Sequence, residues 1–375
     1  MSTITVSRIE VRHLRMPLRF RFETSFGATS EKSFLLVQVF SSDGAWGVGE
    51  CVAEDHPYYL PETNGTVLHV LRDFLAPLIL GQSLESPEAV SGLFAGIRGH
   101  QMAKAAIEMA IWDLFARVRN EPLAKTLGGD PLRSVEAGVS IGLQPDLSSL
   151  MRRVSAEIAA GYRRIKIKIK PGHDLDLVRA IRAEFPKTPL MVDANSAYEL
   201  AQAERLRSFD EFDLMMIEQP LAWDDMVQHA RLQPMLRTPI CLDESITSPE
   251  AAENAISIRA CGIINIKAGR VGGLSSSKRI QTICAEKGIP VWCGGMLESG
   301  IGRLANVHLQ SLPGFILPGD TSASARYFEE DLIEPGVEVS KEGLIRIPLG
   351  PGIGQEIVWS RVDGATDHRE AWSAA

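Results

Sequence analysis

From residue 135 onward, short apolar runs recur every 25 residues or so, and this regularity limits the possible folds more than any other feature. The runs are AGVSIG (137–142), IKIKI (165–169), LMVDAN (190–195), DLMMIEQP (213–220), ICLDES (240–245), GIINIK (262–267), PVWCGG (290–295) and GFILPGD (314–320). Segments of helical character, such as DLDLVRAIRAEF and SSSKRIQTICAEKG, lie between them. Alternating strands and helices predict a parallel sheet, and eight units over about 185 residues predict a closed barrel. An open doubly wound sheet would carry a glycine-rich turn after its first strand, and VSIGLQPD is not one.

The second run poses a question about charge. In RIKIKIKPG (164–172), Ile165, Ile167 and Ile169 alternate with Lys166, Lys168 and Lys170. Lysine is rarely buried unless paired, so the strand taken alone reads as a surface strand. In a barrel both strand faces are covered, the isoleucines meeting the helices and the lysines pointing inward. Inward lysines require negative partners. The ends of successive runs supply Lys168, Asp193, Glu218, Asp243 and Lys267, at intervals of 25, 25, 25 and 24 residues. This spacing places each charge at the same level on consecutive strands, where barrel enzymes carry their catalytic groups. Three converging carboxylates need a neutralising cation, and hard oxygen ligands favour Mg²⁺, with Mn²⁺ as a substitute. The competing reading is helix capping, since VDANS and LDES place Asp, Asn and Ser just before helices. A substrate carboxylate on that cation would leave one lysine at each face of its α-carbon, a geometry suited to α-proton removal and enediolate stabilisation. For a lysine to act as base, its pKa must fall from about 10.4 toward neutrality. The metal, with the neighbouring cations Lys166 and Arg270, is expected to push it that way by like-charge repulsion.

The first 60 residues look β-rich, with Ser42-Asp43-Gly44 as a hairpin turn. Residues 62–118 read as helices. Between the first two strands, RFRFETSFGATSEK carries Phe20, Phe22 and Phe26, which either fold over a ligand or pack beneath the loop. A net charge of −8 argues against a nucleic-acid binder. No run of about 18 apolar residues predicts a membrane span, and the N-terminus lacks the apolar core of a signal peptide. Five cysteines form no CxxC pair and suit reduced thiols in a cytoplasm. No HExxH or other close histidine spacing supports a zinc site.

The motifs TSFG, WGVGEC, MAKAAIEMAIWDL, GVSIG, KIKIKPG, VDANSAY, MIEQPL, TPICLDESI, INIKAGRVGG, VWCGGMLESGIGR and PGDTSAS follow in order along essentially the whole chain. In these the chain resembles the enolase superfamily, muconate-lactonizing subgroup, and within it the o-succinylbenzoate synthase / N-succinylamino acid racemase family. The resemblance implies an α/β fold, a modified (β/α)7β TIM-type barrel with an α+β capping domain and one catalytic Mg²⁺. It places the cap at residues 1–125, with 321–375 packing back onto it, and the barrel at 126–320. The second lysine of the family's KxK motif matches Lys168, its metal ligands Asp193, Glu218 and Asp243, and its opposite lysine Lys267. Ala268 stands where the family often has proline. Lys166, Asn195, Arg270, Ser140, Phe26 and Met296 are expected to support the site or contact substrate, with Ile301 as a further wall. The implied reaction is removal of a proton α to a carboxylate, giving dehydration in menaquinone synthesis, racemisation of N-succinylamino acids, or both. Dipeptide epimerase and muconate cycloisomerase are the alternatives. The first typically presents an Asp-x-Asp at the eighth strand, where PGDTSAS offers only Asp320. The expected partner is a small carboxylate, with neither nucleic acid nor membrane, and homo-oligomerisation is left open.

Overall fold

The computed structural model describes residues 3–23 and 27–374, so Phe26 lies outside the described residues. Seven short strands form one parallel sheet in chain order: Gly138–Ile141, Arg164–Lys168, Leu190–Asp193, Ile217–Glu218, Ile240–Leu242, Ile263–Ile266 and Val291–Cys293. The expected eighth strand, 314–320, is not regular. It closes the ring by isolated bridges, Phe315 with Val291 and Gly319 with Ala137. Pro318 has no N–H to give a ladder, which limits this segment to single bridges.

The lysine-bearing strand is buried along its whole length. Ile165, Ile167 and Ile169 join the main apolar core between strands and helices, while the alternate residues point into the barrel. Below the lysines the interior is filled by Met191, Met216, Cys241, Ile263 and Trp292. Arg164 lies over the Trp292 ring at 4.7 Å. Apart from Arg164 the barrel interior is therefore apolar low down, and it is charged at the C-terminal ends of its strands.

The cap is built on long antiparallel strands, Ile4–Glu23, Ala28–Ser41 and Trp46–Cys51, and the C-terminal strand Thr366–Ser373 pairs with the first of them. The turn at Ser42-Asp43-Gly44 forms as expected, with Gly44 at φ +88°. The helix Gln101–Val118 lies directly on the third strand, and a Cβ on Gly47 or Gly49 would stand 2.2 Å from its backbone oxygens. This close approach is why WGVGE alternates with glycine. No helix among the described residues is long and apolar enough to cross a membrane.

Two buried carboxylates from the cap lock it to the barrel. Glu108 accepts from the N–H groups of Leu274 (2.7 Å) and Ser275 (2.8 Å), capping the helix Leu274–Glu286, which has no side-chain cap of its own. Glu50 accepts from Ser299 N and Gly302 N, both at 3.0 Å, and from the Ser299 hydroxyl. Burial pushes the Glu50 carboxyl up to about 7, with Glu298 adding to the rise. Because the folded value is raised, its stabilising share is whole below about 4.5 and is lost as pH rises through about 7. Glu50→Gln removes this titration, so its melting temperature should fall less steeply than the wild type's over that window. Glu50→Ala strips three donors of their acceptor and should cost on the order of 3 kcal/mol. Parallel melting curves for wild type and Glu50→Gln would exclude Glu50 as the titrating latch.

Candidate active site

A cavity of about 390 Å³ opens between the barrel mouth and the cap. The barrel contributes Lys166, Lys168, Asn195, Lys267 and Asp320 to its walls, and the cap contributes Phe22, Lys32 and Tyr59. Lys168 Nζ donates to Asp193 Oδ2 at 2.7 Å and to Asn195 Oδ1 at 2.5 Å. Lys267 Nζ donates to Asp243 Oδ2 at 2.8 Å and to the Tyr59 hydroxyl at 3.0 Å. Between them Lys166 serves three carboxylates at once: Glu218 at 3.0 Å, Asp193 at 3.2 Å and Asp320 at 3.3 Å. Arg270 donates to the other oxygen of Asp243 and to Tyr59.

Equal sequence spacing does not put these charges on one level. Lys168, Asp193 and Glu218 are register partners across their strands. Glu218 then pairs with Cys241, two residues short of Asp243, and Cys241 with Ile263, four short of Lys267. Strand stagger lifts Asp243 and Lys267 progressively toward the cap, which is how Lys267 comes to meet Tyr59.

The capping alternative fails for Glu218 and Asp243, whose oxygens go to side chains: Lys166 and Asn265 for the first, Lys267, Arg270 and Tyr59 for the second. Asp193 caps no helix either; its Oδ1 accepts from Asn195 N at 3.0 Å in the turn that follows the strand, and the next helical turn starts only at Leu200. Nor do the three carboxylates turn toward a common point. Among the described residues no three His, Cys, Asp or Glu side chains are grouped to hold a metal ion as they stand. Each faces a lysine or arginine instead. The donor chemistry nonetheless fits a hard divalent cation. Burial, and then Asp193, push the Glu218 carboxyl up even though it touches Lys166, because that ammonium is shared. Burial and Asp193 likewise push Glu244 up to about 7, and its Oε2 is buried without a hydrogen-bond partner. Asn265 donates to Glu218 at 2.7 Å, and its buried Oδ1 is also unpartnered. Carboxylates packed closely enough to raise one another, together with orphaned buried acceptors, are what a cation would satisfy.

The expectation that Lys166 and Arg270 help to depress the base is corrected for Lys267. Burial alone would lower Lys267, but Tyr59, Glu218 and Glu244 outweigh it and carry its pKa above the ordinary lysine value. Arg270 spends its charge on Asp243, and Lys166 on three carboxylates, so neither acts as an uncompensated neighbour. Burial opposes ionisation of Asp193 too, yet Lys168 and Lys166 hold its carboxyl far below the usual range.

Ser140 and Met296 line the cavity, Ser140 donating to Asp320. Ile301 does not; it is buried away from it. Phe22 faces the cavity, whereas Phe20, in the first strand, packs against Tyr327 at 5.9 Å. Tyr59, Glu244, Asn265 and Asp320 also belong to the site. Asn265 and Asp320 had a signal: Asn265 precedes Lys267 by two and so shares its strand face, and Asp320 ends the eighth run. Glu244 adjoins Asp243, and Tyr59 sits in a loop with no periodicity to mark it.

Two family models divide the chain, "Mandelate racemase / muconate lactonizing enzyme, N-terminal domain" over residues 4–128 and "Enolase C-terminal domain-like" over 149–361. An o-succinylbenzoate synthase of Geobacillus kaustophilus is 53% identical over 97% of this chain and 96% of its own length. An N-succinylamino acid racemase of Thermus thermophilus is 45% identical over 99% of this chain and 100% of its own. A solved enolase-superfamily member from Listeria innocua, 40% identical, superposes with a TM-score of 0.96 over 99% of this chain and 100% of that one. With a lysine on either side of a carboxylate arc, both domain models matched, and relatives of this identity running end to end, the chain belongs to the enolase superfamily, muconate-lactonizing subgroup, in the family of o-succinylbenzoate synthases and N-succinylamino acid racemases.

Proposed function

We propose that this enzyme removes the proton α to a carboxylate, acting both as an o-succinylbenzoate synthase and as a racemase of N-succinylamino acids with apolar side chains. The observation that carries the reading is the pair Lys168 and Lys267, held by different carboxylates and facing one cavity. Asp193, Glu218 and Asp243 would hold Mg²⁺, or Mn²⁺ in its place. When bound, such a cation supplies Lewis-acid stabilisation of the substrate carboxylate. In racemisation one lysine takes the α-proton and the other returns a proton to the opposite face, so the two exchange roles with the enantiomer. In dehydration Lys168 takes the proton and delivers it to the departing hydroxide on the same face, while the Lys267 ammonium faces the charge that builds up. Residues 1–125 and 321–375 would act as the cap that roofs the cavity, and 126–320 as the barrel that carries the chemistry. Five free, buried cysteines suit a reducing compartment and support placement in the cytoplasm, with dehydration serving menaquinone synthesis.

A dipeptide is a poorer fit. Its free ammonium would need acidic partners, and PGDTSAS offers a single carboxylate, Asp320, whose Oδ2 already serves Ser140 and Lys166. Lys166 and Arg164 hold the Asp320 carboxyl down at about 2, against its burial. Both succinyl reactions should proceed with Mg²⁺ when assayed side by side, with dipeptides and free amino acids poor. Efficient dipeptide epimerisation with neither succinyl substrate turned over would place the enzyme in another branch.

A further inference from the structure

Lys32 stands on the cap strand Ala28–Ser41, opposite Met16, and lines the cavity that Lys168 and Lys267 face. It is 1% exposed, and its Nζ finds no hydrogen-bond partner among the described residues. Glu54 Oε1 lies 3.7 Å away, beyond hydrogen-bond reach, on a side chain that is 37% exposed. The other cations of this cavity are committed. Lys166, Lys168 and Lys267 each bond a carboxylate, Arg303 bonds the carbonyls of Glu298 and Ser322, and Arg15 bonds Glu31, Asp55 and Asp367. A buried ammonium without an acceptor is costly, and in a binding cavity the missing acceptor is a group of the ligand.

We propose that Lys32 is the counter-ion for a second, remote carboxylate of the substrate, so that it selects dianionic substrates over otherwise identical monoanionic ones. The proposal rests on the succinyl reading above, because the succinyl arm ends in that carboxylate. The carboxylate of the reacting end belongs at the barrel mouth, within reach of Lys168 and Lys267. The arm then runs toward the cap, where Lys32 waits. Lys32 is thus a specificity-determining residue and takes no part in the proton transfers.

The test is a ratio, kcat/KM for N-succinylphenylalanine over kcat/KM for N-butanoylphenylalanine, which differ in the remote carboxylate. Within one protein sample the ratio does not depend on the fraction folded. Lys32→Met should lower it roughly 10- to 100-fold, chiefly through KM for the succinyl substrate, as loss of a charge-assisted bond implies. Lys32→Arg should restore most of the preference, and Lys32→Gln, with a polar tip but no charge, should behave like Lys32→Met. An unchanged ratio in Lys32→Met and Lys32→Gln overturns the assignment. Calorimetry with succinate and butanoate decides Lys32 without turnover. The wild type should bind succinate more tightly, and Lys32→Met should lose that difference. Should the wild type turn over neither phenylalanine derivative, the succinyl reading fails, and an equal affinity for the two simple acids then refutes Lys32 as well.

Discussion

Lys267→Ala is expected to abolish racemisation of an N-succinylamino acid, with kcat down by about 10³-fold or more, the scale of losing a positioned general acid or base. Lys168→Ala should do the same. The two losses should differ when exchange of the α-proton is followed by NMR in D₂O with Mg²⁺. Each variant keeps one lysine, so each should exchange deuterium into one enantiomer and leave the other untouched, and the favoured enantiomer should be opposite in the two. The variants should remain folded, because neither deletion orphans a carboxylate. Asp243 retains Arg270 and the Tyr59 hydroxyl at 3.0 Å when Lys267 is removed. Asp193 retains Lys166 at 3.2 Å when Lys168 is removed. Equal exchange of both enantiomers by Lys267→Ala would mean that a single base serves both faces, and the two-lysine assignment would be lost.

The charged arc was legible because a barrel repeats. A strand-and-helix unit of nearly constant length carries any residue at a strand's end into the same mouth, so regular spacing of charges becomes convergence. The isoleucine and lysine alternation could be resolved for the same reason: once both faces must be covered, the lysines have only the interior left. Register was not legible. Strand stagger depends on backbone pairing, and no side-chain spacing reports that Glu218 pairs with Cys241 rather than Asp243. Groups that reach the site from the cap were equally hidden. Tyr59 and Lys267 are 208 residues apart, and Glu50 and Ser299 are 249 apart, so each contact exists only because two layers of the fold meet. Lys32 shows the limit most clearly. On a strand that reads ATSEKSFLLVQV it looks like one more solvated charge, and only its burial beside the cavity distinguishes it. The irregular eighth segment is an intermediate case, since Pro318 was visible but its consequence depended on which neighbours the segment bridges.

Asp243→Asn should show the second large effect, this time on cation binding. Asp243 is fully buried and divides its two oxygens among Lys267, Arg270 and Tyr59. It therefore does two jobs that asparagine performs badly. As a candidate ligand it offers an anionic oxygen to a divalent ion, and a neutral amide oxygen is a much weaker partner for Mg²⁺. Mg²⁺ affinity measured by calorimetry should fall on the order of 100-fold or more, at least the loss seen when supporting groups around a metal are removed. As a counter-ion it neutralises two buried cations, and withdrawing its charge should cost about 3–5 kcal/mol of stability. That is a large share of a typical domain's stability of roughly 5–15 kcal/mol, so the variant should fold but melt early. The wild-type titration carries its own signature. The carboxylates now face ammonium groups, so a cation that takes their oxygens should loosen a lysine's hold on its proton, and the binding enthalpy should vary with the ionisation enthalpy of the buffer. Unchanged Mg²⁺ affinity in Asp243→Asn would remove Asp243 from the ligand set and leave it as the anchor of Lys267 and Arg270, because a purely structural carboxylate can be neutralised at a cost in melting temperature but not in metal affinity.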